Sequence, residues 1–262
     1  MCTLIIVRNA DRSHPLIVAA NRDELLDRPS DPPKFWDGAP RMLAPADGQR
    51  GGTWIGVNDA GVFAAVTNRN DVASKRGMDS RGELAIMALE ARTAGDAVSR
   101  IARLDARRYN GFHFVVADAR SGYLAYGDGI AGGERFRLDD LADGLHIVTN
   151  LGVGPSHSHR SDNIMRAWWR SRMERLSPHV SGYDLMLTIH AGGDATKSMS
   201  STCIHRPAEE NYGTKSSAFI RLRKDWNGEP PTWLYRHRER PADGHNCTAP
   251  WQPELRLPIL TG

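Results

Sequence analysis

A thiol stands directly behind the initiator methionine, because the chain opens Met1-Cys2 and continues into the apolar stretch Thr3–Val7. Removal of Met1 would give Cys2 a free α-amine beside its own thiol. The amine titrates near ~7.7–8.0 and a free thiol near ~8.5, so the amine can accept the thiol proton at neutral pH. This is the N-terminal form of a base-activated nucleophile. The alternative is that Cys2 is a small buried hydrophobe in a first strand.

Four polar residues, Asn21-Arg22-Asp23-Glu24, close the second apolar stretch of the chain. If the first two stretches form a hairpin, this strand end lies beside Cys2. There the Asp23 carboxylate would hold the α-amine, and Arg22 would lower the thiol pKa through its adjacent positive charge. Asn21 and Glu24 would line the same site as ligand-binding residues. A solvated turn is the alternative explanation of the same four residues.

The tripeptide Val-Thr-Asn occurs twice, and each copy closes an apolar stretch that is typical of a strand. Side-chain amides at strand ends can donate hydrogen bonds to an oxyanion that develops during acyl transfer. Removing one such donor typically costs about 2.7–4 kcal/mol of barrier. The repeat therefore predicts two oxyanion donors, Asn68 and Asn150. An asparagine that only caps a turn is the commoner use of this residue.

Two glycine-containing segments could contribute further groups to a site. Gly51–Gly56 includes Trp54, which we interpret as an aromatic wall for a ligand, and Tyr212–Ser217 precedes a strong strand. Either segment could instead serve only as a turn. The histidines do not predict a metal centre, because the closely spaced pair His157-Ser158-His159 lies in a predicted loop. A histidine as an axial haem ligand stays open, and the spacing selects none.

The elements that would position these residues begin with two hairpins. Thr3–Val7 and Leu16–Ala20 form the first, and Trp54–Val57 with Val62–Thr67 form the second. Between them, residues 28–52 are rich in Pro and Gly and predict a long loop. Loops of that length often cover a functional site.

Helices are expected in two pairs. The first pair begins at Ser80, which starts a capping-box pattern, and at Asp96, whose helix extends to Leu104. The second pair begins at Ser161 or Asp162 and continues with a short helix over Tyr183–Ile189.

Further strands are expected between and after the helix pairs, at Phe112–Ala117, Tyr123–Tyr126, Leu145–Thr149, Ser201–Ile204, Ser216–Leu222 and Thr232–Tyr235. No strand alternates one-for-one with a helix, which disfavours a doubly wound parallel sheet. The order predicts an α+β fold in which two mostly antiparallel sheets are stacked between helix layers. We predict one domain, 1–262, whose Pro-rich tail 240–262 packs on the surface.

The composition narrows the class of protein. With 262 residues, 40% of them hydrophobic, the chain can bury a sizeable core. The sequence contains no apolar run of ~18 residues that would predict a membrane span. No basic segment precedes the first apolar stretch as in a signal peptide, so we expect a cytoplasmic protein. A net charge of +3 without a recognised motif argues against nucleic acid as a partner.

Three cysteines, Cys2, Cys203 and Cys247, make too sparse a set for a disulfide framework. Their spacing contains no CxxC pair, so we expect no structural zinc site. The sparse set agrees with a reducing compartment. The many arginines are explained by solvated faces, or by an anionic ligand such as a carboxylate, a phosphate-bearing thioester or haem propionates.

An ordered set of short motifs extends along most of the chain. It comprises Met1-Cys2, Asn21–Glu24, Gly51–Gly56, Thr67-Asn68, Ser80–Gly82, Tyr109–Phe112, Thr149-Asn150 and Tyr212–Thr214. The set spans roughly residues 1 to 223 and resembles the NRDE family, also called the transport and Golgi organisation family. That family is in turn similar to the choloylglycine hydrolase and penicillin acylase group of N-terminal-nucleophile (Ntn) hydrolases.

The resemblance implies an αββα four-layer sandwich with Cys2 as the nucleophile. Asp23, or as a weaker choice Glu24, would take the place of the carboxylate near the amine. Asn68 and Asn150 would take the places of the two strand-end asparagines around the oxyanion.

The chain departs from these hydrolases at the end of its second strand. They have an arginine before the asparagine, whereas here Asn21 precedes Arg22. The second arginine of those hydrolases has two candidates in this chain, Arg160 and Arg166.

Two functions follow from the residues and the resemblance together. The first is an N-terminal-cysteine hydrolase or acyltransferase that acts on a non-peptide amide or thioester and requires no cofactor. The alternative is a non-catalytic binding and trafficking protein of the same fold for haem or for acyl-coenzyme A and lipid. The resemblance implies this alternative through the family's links to haem trafficking, acyl-coenzyme A handling, secretion and Golgi order. Either function takes a small-molecule ligand.

Overall fold

The computed structural model describes residues 2–129, 132–155, 157–174, 202–204, 210–225, 227–241 and 249–260. Met1 and the predicted helix Tyr183–Ile189 lie outside the described residues. Within these ranges, none of the helices combines the length and the apolar composition that crossing a membrane requires.

Strands account for more of the described chain than helices do. In chain order they are β1 Cys2–Arg8, β2 Leu16–Leu25, β3 Ser30–Trp36, β4 Met42–Asp47, β5 Ile55–Asn58, β6 Phe63–Asn68, β7 Phe112–Ala117, β8 Gly122–Gly127, β9 Arg137–Asp140, β10 Gly144–Thr149, β11 Gly152–Val153, β12 Tyr212–Arg223, β13 Thr232–Glu239 and β14 Leu255–Pro258. The helices are α1 Arg81–Leu89, α2 Ala94–Ile101 and α3 His159–Glu174, with a short 3-10 turn at Ala106–Arg108.

The strands form two seven-stranded sheets. The first has the order β11-β10-β1-β2-β12-β13-β14, and the second has the order β3-β4-β5-β6-β7-β8-β9. Pairing is antiparallel between β1 and both of its neighbours and throughout the second sheet. The expectation of two mostly antiparallel sheets is confirmed.

The chain divides into two compact units, each made of several chain segments. The first unit comprises Met1–Arg28, Asp143–Arg221 and Leu234–Leu255. The second unit comprises Pro29–Ala142, Leu222–Trp233 and Arg256–Gly262. The single domain 1–262 that the sequence indicates stays a prediction.

In the first unit, α3 packs on one face of β1, β2 and β10. Side chains alternate along a strand, so Ile5 and its partner Ala19 point to the face that Ile164 and Trp168 of α3 cover. Thr3 lies two residues before Ile5 and therefore points to the same face. Its partner on β2, Asn21, points to this face as well, and a polar patch begins here beneath the start of α3.

In the second unit, α1 and α2 cover one face of the sheet. Leu84 and Leu89 of α1 share a core with Phe114 of β7. The Thr93 hydroxyl caps α2 by accepting a hydrogen bond from the Asp96 N–H at 3.0 Å.

The helix predictions need three corrections. Ser80 precedes α1, but its side chain makes no capping hydrogen bond, so the capping box is absent. α2 begins and ends earlier than the predicted span, because Thr93 supplies its cap. α3 begins at His159, before the predicted Ser161 or Asp162.

Residues 28–52 are not the long loop that their Pro and Gly content predicts. They contain β3 and β4, which pair with each other. β3 accommodates Pro32 and Pro33 because it is an edge strand and its pairing shifts register between Asp31 and Lys34. Proline lacks an N–H and is tolerated at such edges and bulges.

The last third of the chain also differs from its predicted elements. Thr202–Ile204 is not a strand, although it lies within the predicted one. Within the predicted tail, Leu255–Pro258 forms the edge strand β14 of the first sheet. The packing of residues 240–262 on the surface stays a prediction. The expectation of reduced cysteines is wrong for Cys203, which is disulfide-bonded. Cys2 is a free thiol.

Candidate functional site

The polar residues at one end of the first sheet come together through strand register. Cys2 pairs with Arg22 across β1 and β2, and Thr3 pairs with Thr149 across β1 and β10. The next residue beyond Thr149 is Asn150, which therefore lies at the same end of the sheet as Cys2. This places the Asn21–Glu24 segment on one side of the thiol and Asn150 on the other.

Asp23 is the most enclosed charged residue of this end, with 1% of its surface exposed. Its Oδ2 accepts a hydrogen bond from Arg160 Nη1 at 3.0 Å, and its Oδ1 accepts one from the Thr214 hydroxyl at 2.6 Å. A buried charge needs such partners, because an isolated ion in a low-dielectric interior is strongly disfavoured. The carboxylate is therefore held in one orientation from two sides.

Arg160 connects this carboxylate to the first strand. The same Nη1 that binds Asp23 also donates to the Thr3 hydroxyl at 2.6 Å. The other candidate, Arg166, is exposed and donates to Asn163 at 2.6 Å. The geometry therefore favours Arg160 as the second arginine of the site.

Tyr212 contacts the backbone at the same point. Its hydroxyl donates to the Asp23 carbonyl at 3.2 Å. Burial raises the pKa of Tyr212 above its ordinary value, and the negative charges of Asp23 and Cys2 act in the same direction. The phenol therefore stays protonated and available as a hydrogen-bond donor.

Sequence reasoning missed Thr3, and it named the segment Tyr212–Ser217 as a possible contributor to the site without giving Tyr212 or Thr214 a role. Within that segment, Tyr212–Thr214 also belongs to the ordered motif set. Thr3 gives no signal beyond its place after Cys2, because the partner that explains it lies 157 residues away in the chain.

Asn21 and Glu24 lie at the predicted strand end but differ in their surroundings. The Asn21 side chain is buried, accepts from the Ser217 hydroxyl at 2.6 Å and donates to the Thr202 carbonyl. Its amide thus tethers neighbouring segments. Glu24 is half-buried, and its carboxylate accepts from the Leu25 N–H at 3.0 Å.

Cys2 is half-buried as a residue. Burial of the thiol raises its pKa, and the Asp23 carboxylate contributes in the same direction. Arg22 lowers the pKa, as the sequence predicts, but burial outweighs this effect. The thiolate therefore needs a base nearby, or a change in its surroundings, to form readily near neutral pH.

The Asn150 side chain is buried, and its amide N–H donor has no acceptor among the described residues. Only 2% of its surface is exposed. Its Nδ2 has no hydrogen-bond acceptor within the described part of the chain. Most buried polar atoms are paired, so an unpaired N–H at a strand end suits a ligand oxygen. Such a preorganised, buried donor is the kind of group that stabilises an oxyanion.

Asn68 and Trp54 belong to the second unit. Asn68 ends β6, pairs with Phe112 of β7 and is exposed. Trp54 is half-buried and packs against the core beneath α1. Their proposed roles at the Cys2 site stay predictions.

Other motifs of the second unit have local structural explanations. Gly52 has φ +77°, and a Cβ there would lie 2.7 Å from the backbone of Gly82, so glycine permits this contact with the start of α1. The Asn110 side chain accepts from the Lys75 N–H at 2.8 Å and donates to the Lys75 carbonyl at 2.9 Å. These motifs shape loops.

The histidines show no shared centre. In the described ranges, no group of three or more His, Cys, Asp or Glu side chains is placed to hold a metal ion. His113 is buried in β7 with its ring edge-on to Tyr126. His157 and His159 are exposed.

Comparison with known proteins first identifies relatives by sequence. The family model for Transport and Golgi organisation 2 matches residues 1–229. The bovine and human Transport and Golgi organization protein 2 homologs are each 36% identical over 118 residues, which is 43% of this chain. The aligned region spans 41% of the length of these curated relatives.

Solved structures of low sequence identity share the fold. A mutant conjugated bile acid hydrolase from Clostridium perfringens has a TM-score of 0.58 at 9% identity, covering 99% of this chain and 92% of that chain. The Caenorhabditis elegans ortholog of N-acylethanolamine-hydrolyzing acid amidase has a TM-score of 0.56 at 12% identity, covering 84% and 92%. The predicted α+β fold of Ntn-hydrolase type is thereby confirmed.

The family match extends from Cys2 through β12 and so includes every residue of the polar cluster around Asp23. Together with the fold, it bears out the resemblance seen in the ordered motifs. The chain therefore belongs to the Transport and Golgi organisation 2 family.

Proposed function

We propose that the protein is a cysteine-dependent hydrolase or acyltransferase of non-peptide amides or thioesters, with Cys2 as its nucleophile. The observation that favours this most is the vacant amide of Asn150, buried at the strand end next to Cys2. A donor without an acceptor is costly unless a ligand oxygen uses it. The likeness in fold to a conjugated bile acid hydrolase and to an ortholog of an N-acylethanolamine-hydrolyzing acid amidase agrees with this proposal.

The reaction would begin after removal of Met1, which exposes the α-amine of Cys2. The amine accepts the thiol proton as the sulfur attacks the carbonyl carbon, and the carbonyl oxygen becomes an oxyanion. Asn150 donates a hydrogen bond to that oxyanion. The ammonium then returns the proton to the leaving amine or thiol, and an acyl-cysteine remains. Water, or another nucleophile, releases the acyl group.

The network around Asp23 would position the reacting groups. Two of its contacts, from Arg160 and Thr214, fix the carboxylate from the sides. A carboxylate has about four lone-pair sites, so it can still accept from an ammonium. Because Asp23 lies one residue beyond the partner of Cys2, its charge is suited to hold the new α-amine. Arg22, the partner itself, favours the thiolate by its positive charge.

Acyl trapping on the intact chain tests this function. The protein is incubated with a chromogenic S-acyl thioester and with an N-acyl p-nitroanilide, and the adduct is located by peptide mass spectrometry. We expect one acyl group on Cys2 in chains that lack Met1, and none in the Cys2→Ala variant. Intact mass decides in the same sample whether Met1 is absent. A fully processed chain that forms no adduct with either probe would disprove the function.

The second candidate is binding of haem or an acyl-coenzyme A without turnover. The raised pKa of Cys2 favours it, because a protonated thiol is a poor nucleophile. It predicts a thermal shift with haem or palmitoyl-coenzyme A that survives Cys2→Ala. Loss of the shift in that variant, or no shift with either ligand, would eliminate this candidate.

A further inference from the structure

The disulfide-bonded residue Cys203 belongs to a short buried segment. Thr202, Cys203 and Ile204 are each at most 3% exposed. They form no strand or helix, so side-chain and loop hydrogen bonds hold them in place. Both neighbours of the cysteine make such bonds, and both bonds lead to the candidate site.

On one side of Cys203, the Thr202 carbonyl accepts a hydrogen bond from Asn21 Nδ2. The Asn21 Oδ1 in turn accepts from the Ser217 hydroxyl at 2.6 Å. Asn21 lies two residues before Asp23 on the same face of β2. This side of the segment is therefore bound to the strand that contains the site carboxylate.

On the other side, Ile204 and Thr214 bind each other twice. The Ile204 N–H donates to the Thr214 hydroxyl at 2.7 Å, and the Thr214 N–H donates to the Ile204 carbonyl at 3.0 Å. The same Thr214 hydroxyl also donates a hydrogen bond to Asp23 Oδ1 at 2.6 Å. Two hydrogen bonds thus separate the residue after Cys203 from the site carboxylate.

Gly213 permits this close approach. A Cβ at position 213 would lie 2.9 Å from the Ile204 carbonyl oxygen, a distance that real Cβ atoms essentially never show. The segment and β12 are therefore in contact without an intervening side chain. A displacement of the segment would be transmitted directly to Thr214.

We propose that the disulfide at Cys203 regulates the Cys2 site, by holding the segment Thr202–Ile204 against Asn21 and Thr214. The proposal rests on the proposed function in assigning a regulator to that site, but its effect on thiol reactivity can be measured without any acyl substrate. In the oxidised protein the Asp23 network is fixed. In the reduced protein the segment loses its covalent anchor, and the contacts at its two ends loosen.

The redox step balances with a dithiol as the reductant. The dithiol supplies two electrons and two protons, the disulfide at Cys203 breaks to two thiols, and the dithiol becomes a disulfide. Cys2 takes no part in this step, since it is a free thiol. The structure therefore separates the regulating sulfur from the reacting one.

Loosening should have opposite effects on two kinds of Cys2 chemistry. Burial is the main reason for the raised pKa of Cys2. Admission of water relieves burial, so small alkylating reagents should react faster. Acyl transfer needs the fixed Asp23 carboxylate, so adduct formation with an acyl probe should become slower.

The test compares the intact chain before and after reduction with dithiothreitol, which is removed under argon. Iodoacetamide labelling of Cys2, followed by peptide mapping, should be about threefold faster or more after reduction. Amide exchange at Thr214 and Ile204 should be about tenfold faster or more, while Ile5 in the middle of β1 stays unchanged. The Cys203→Ser variant should match the reduced protein and should not respond to dithiothreitol.

A second pair of variants keeps the test independent of whether Cys203→Ser folds. Thr214→Val removes the hydroxyl that joins the segment to Asp23 and should resemble the reduced state with the disulfide intact. Thr214→Ser keeps that hydroxyl and should resemble the oxidised wild type. Equal alkylation and exchange rates in the oxidised and reduced forms would overturn the proposal. So would three free thiols in the air-oxidised protein, which has three cysteines. Absence of acyl adducts in both forms would count against the proposed function alone.

Discussion

The tripeptide Val-Thr-Asn closes β6 in the second unit and β10 in the first, and the two copies have opposite hydrogen-bonding patterns. At the β10 end, the threonine is satisfied: the Thr149 hydroxyl donates to the Gly152 carbonyl at 3.3 Å and accepts from the Leu151 N–H at 3.2 Å. The asparagine that follows is buried and has a vacant N–H within the described residues. At the β6 end, the buried Thr67 hydroxyl is without a partner in the described part of the chain, and Asn68 is exposed.

The difference indicates which of the two strand-end asparagines is better suited to donate to an oxyanion. An exposed amide exchanges one hydrogen bond with water for another when a ligand binds, so the net gain is small. A buried amide without an acceptor gains the full bond. The same residue type at two strand ends therefore differs in its capacity as a donor because one copy is buried and the other is exposed.

The charged residues near the two ends differ in the same way. Arg160 and Asp23 form a pair in which both side chains are at most 3% exposed. Arg69 follows Asn68 and binds Asp71 and Asp128, whose side chains are 42% and 52% exposed. The β10 end thus belongs to a buried polar cluster, whereas the β6 end lies beside a solvated one.

Removing the two arginines should give the largest contrast between the ends. Arg160→Met leaves Asp23 as a buried charge without its cation, and we expect a loss of about 3–5 kcal/mol in the free energy of unfolding. Arg69→Met removes contacts to exposed carboxylates and one long hydrogen bond to the Gly127 carbonyl at 3.4 Å, and should cost about 0–1 kcal/mol. Urea unfolding followed by circular dichroism measures both values. Equal losses would show that burial does not distinguish the two clusters.

Replacing the two asparagines should give the second-largest contrast, which we expect in the reaction rate at Cys2 and not in the stability of the fold. Asn150→Ala should lower the rate of acyl-probe reaction at Cys2 by about 10²–10³-fold, the usual effect of removing one oxyanion donor. Asn68→Ala should have a smaller effect, because an exposed amide would gain less from an oxyanion than a buried one. Single-turnover kinetics under saturating probe compare the two. A larger effect at Asn68 would reverse the assignment of the stronger donor.

The threonines should give effects of opposite sign. Thr149→Val removes a hydroxyl that makes two hydrogen bonds and should lower the free energy of unfolding by about 1 kcal/mol. Thr67→Val replaces a buried hydroxyl that lacks a partner among the described residues, and the methyl group of similar shape should raise stability by about 1 kcal/mol. Thermal and urea unfolding of the two single variants decide the signs. A loss at both positions would mean that the Thr67 hydroxyl has an acceptor.

The sequence predicts the part of the site that depends on strand position. Alternation and hairpin order suffice to bring Asn21–Glu24 beside Cys2, because an antiparallel register follows from a short turn between apolar strands. The two-sheet fold follows from the absence of strand–helix alternation. The loop predicted over residues 28–52 fails because proline content alone does not distinguish a loop from a bulged edge strand.

The remaining part of the site depends on contacts between distant segments. Nothing local to Thr3 or Asp23 indicates that Arg160 from α3 joins them. Likewise, the two Val-Thr-Asn copies are indistinguishable in sequence, and only tertiary packing buries one asparagine and exposes the other. Position along a strand is a local property, whereas burial and the choice of a partner are not.

The smallest expected effect concerns Arg22 at the β10 end, because its positive charge opposes the effect of burial on the pKa of Cys2. Burial raises the pKa of the Cys2 thiol and Arg22 lowers it, so Arg22→Met should raise the pKa further. The iodoacetamide rate should then fall about two- to fivefold at a fixed pH near 8, and the pH profile should move to higher pH. Arg22→Lys keeps the charge and should stay close to the wild type, and Arg69→Met should leave the profile unchanged. Folding favours the neutral thiol of Cys2. Its contribution to the free energy of unfolding is therefore present at low pH and declines as pH rises through the folded-state pKa. An unshifted profile in Arg22→Met would show that the Arg22 charge does not reach the sulfur, and the β10 end would then differ from the β6 end by burial alone.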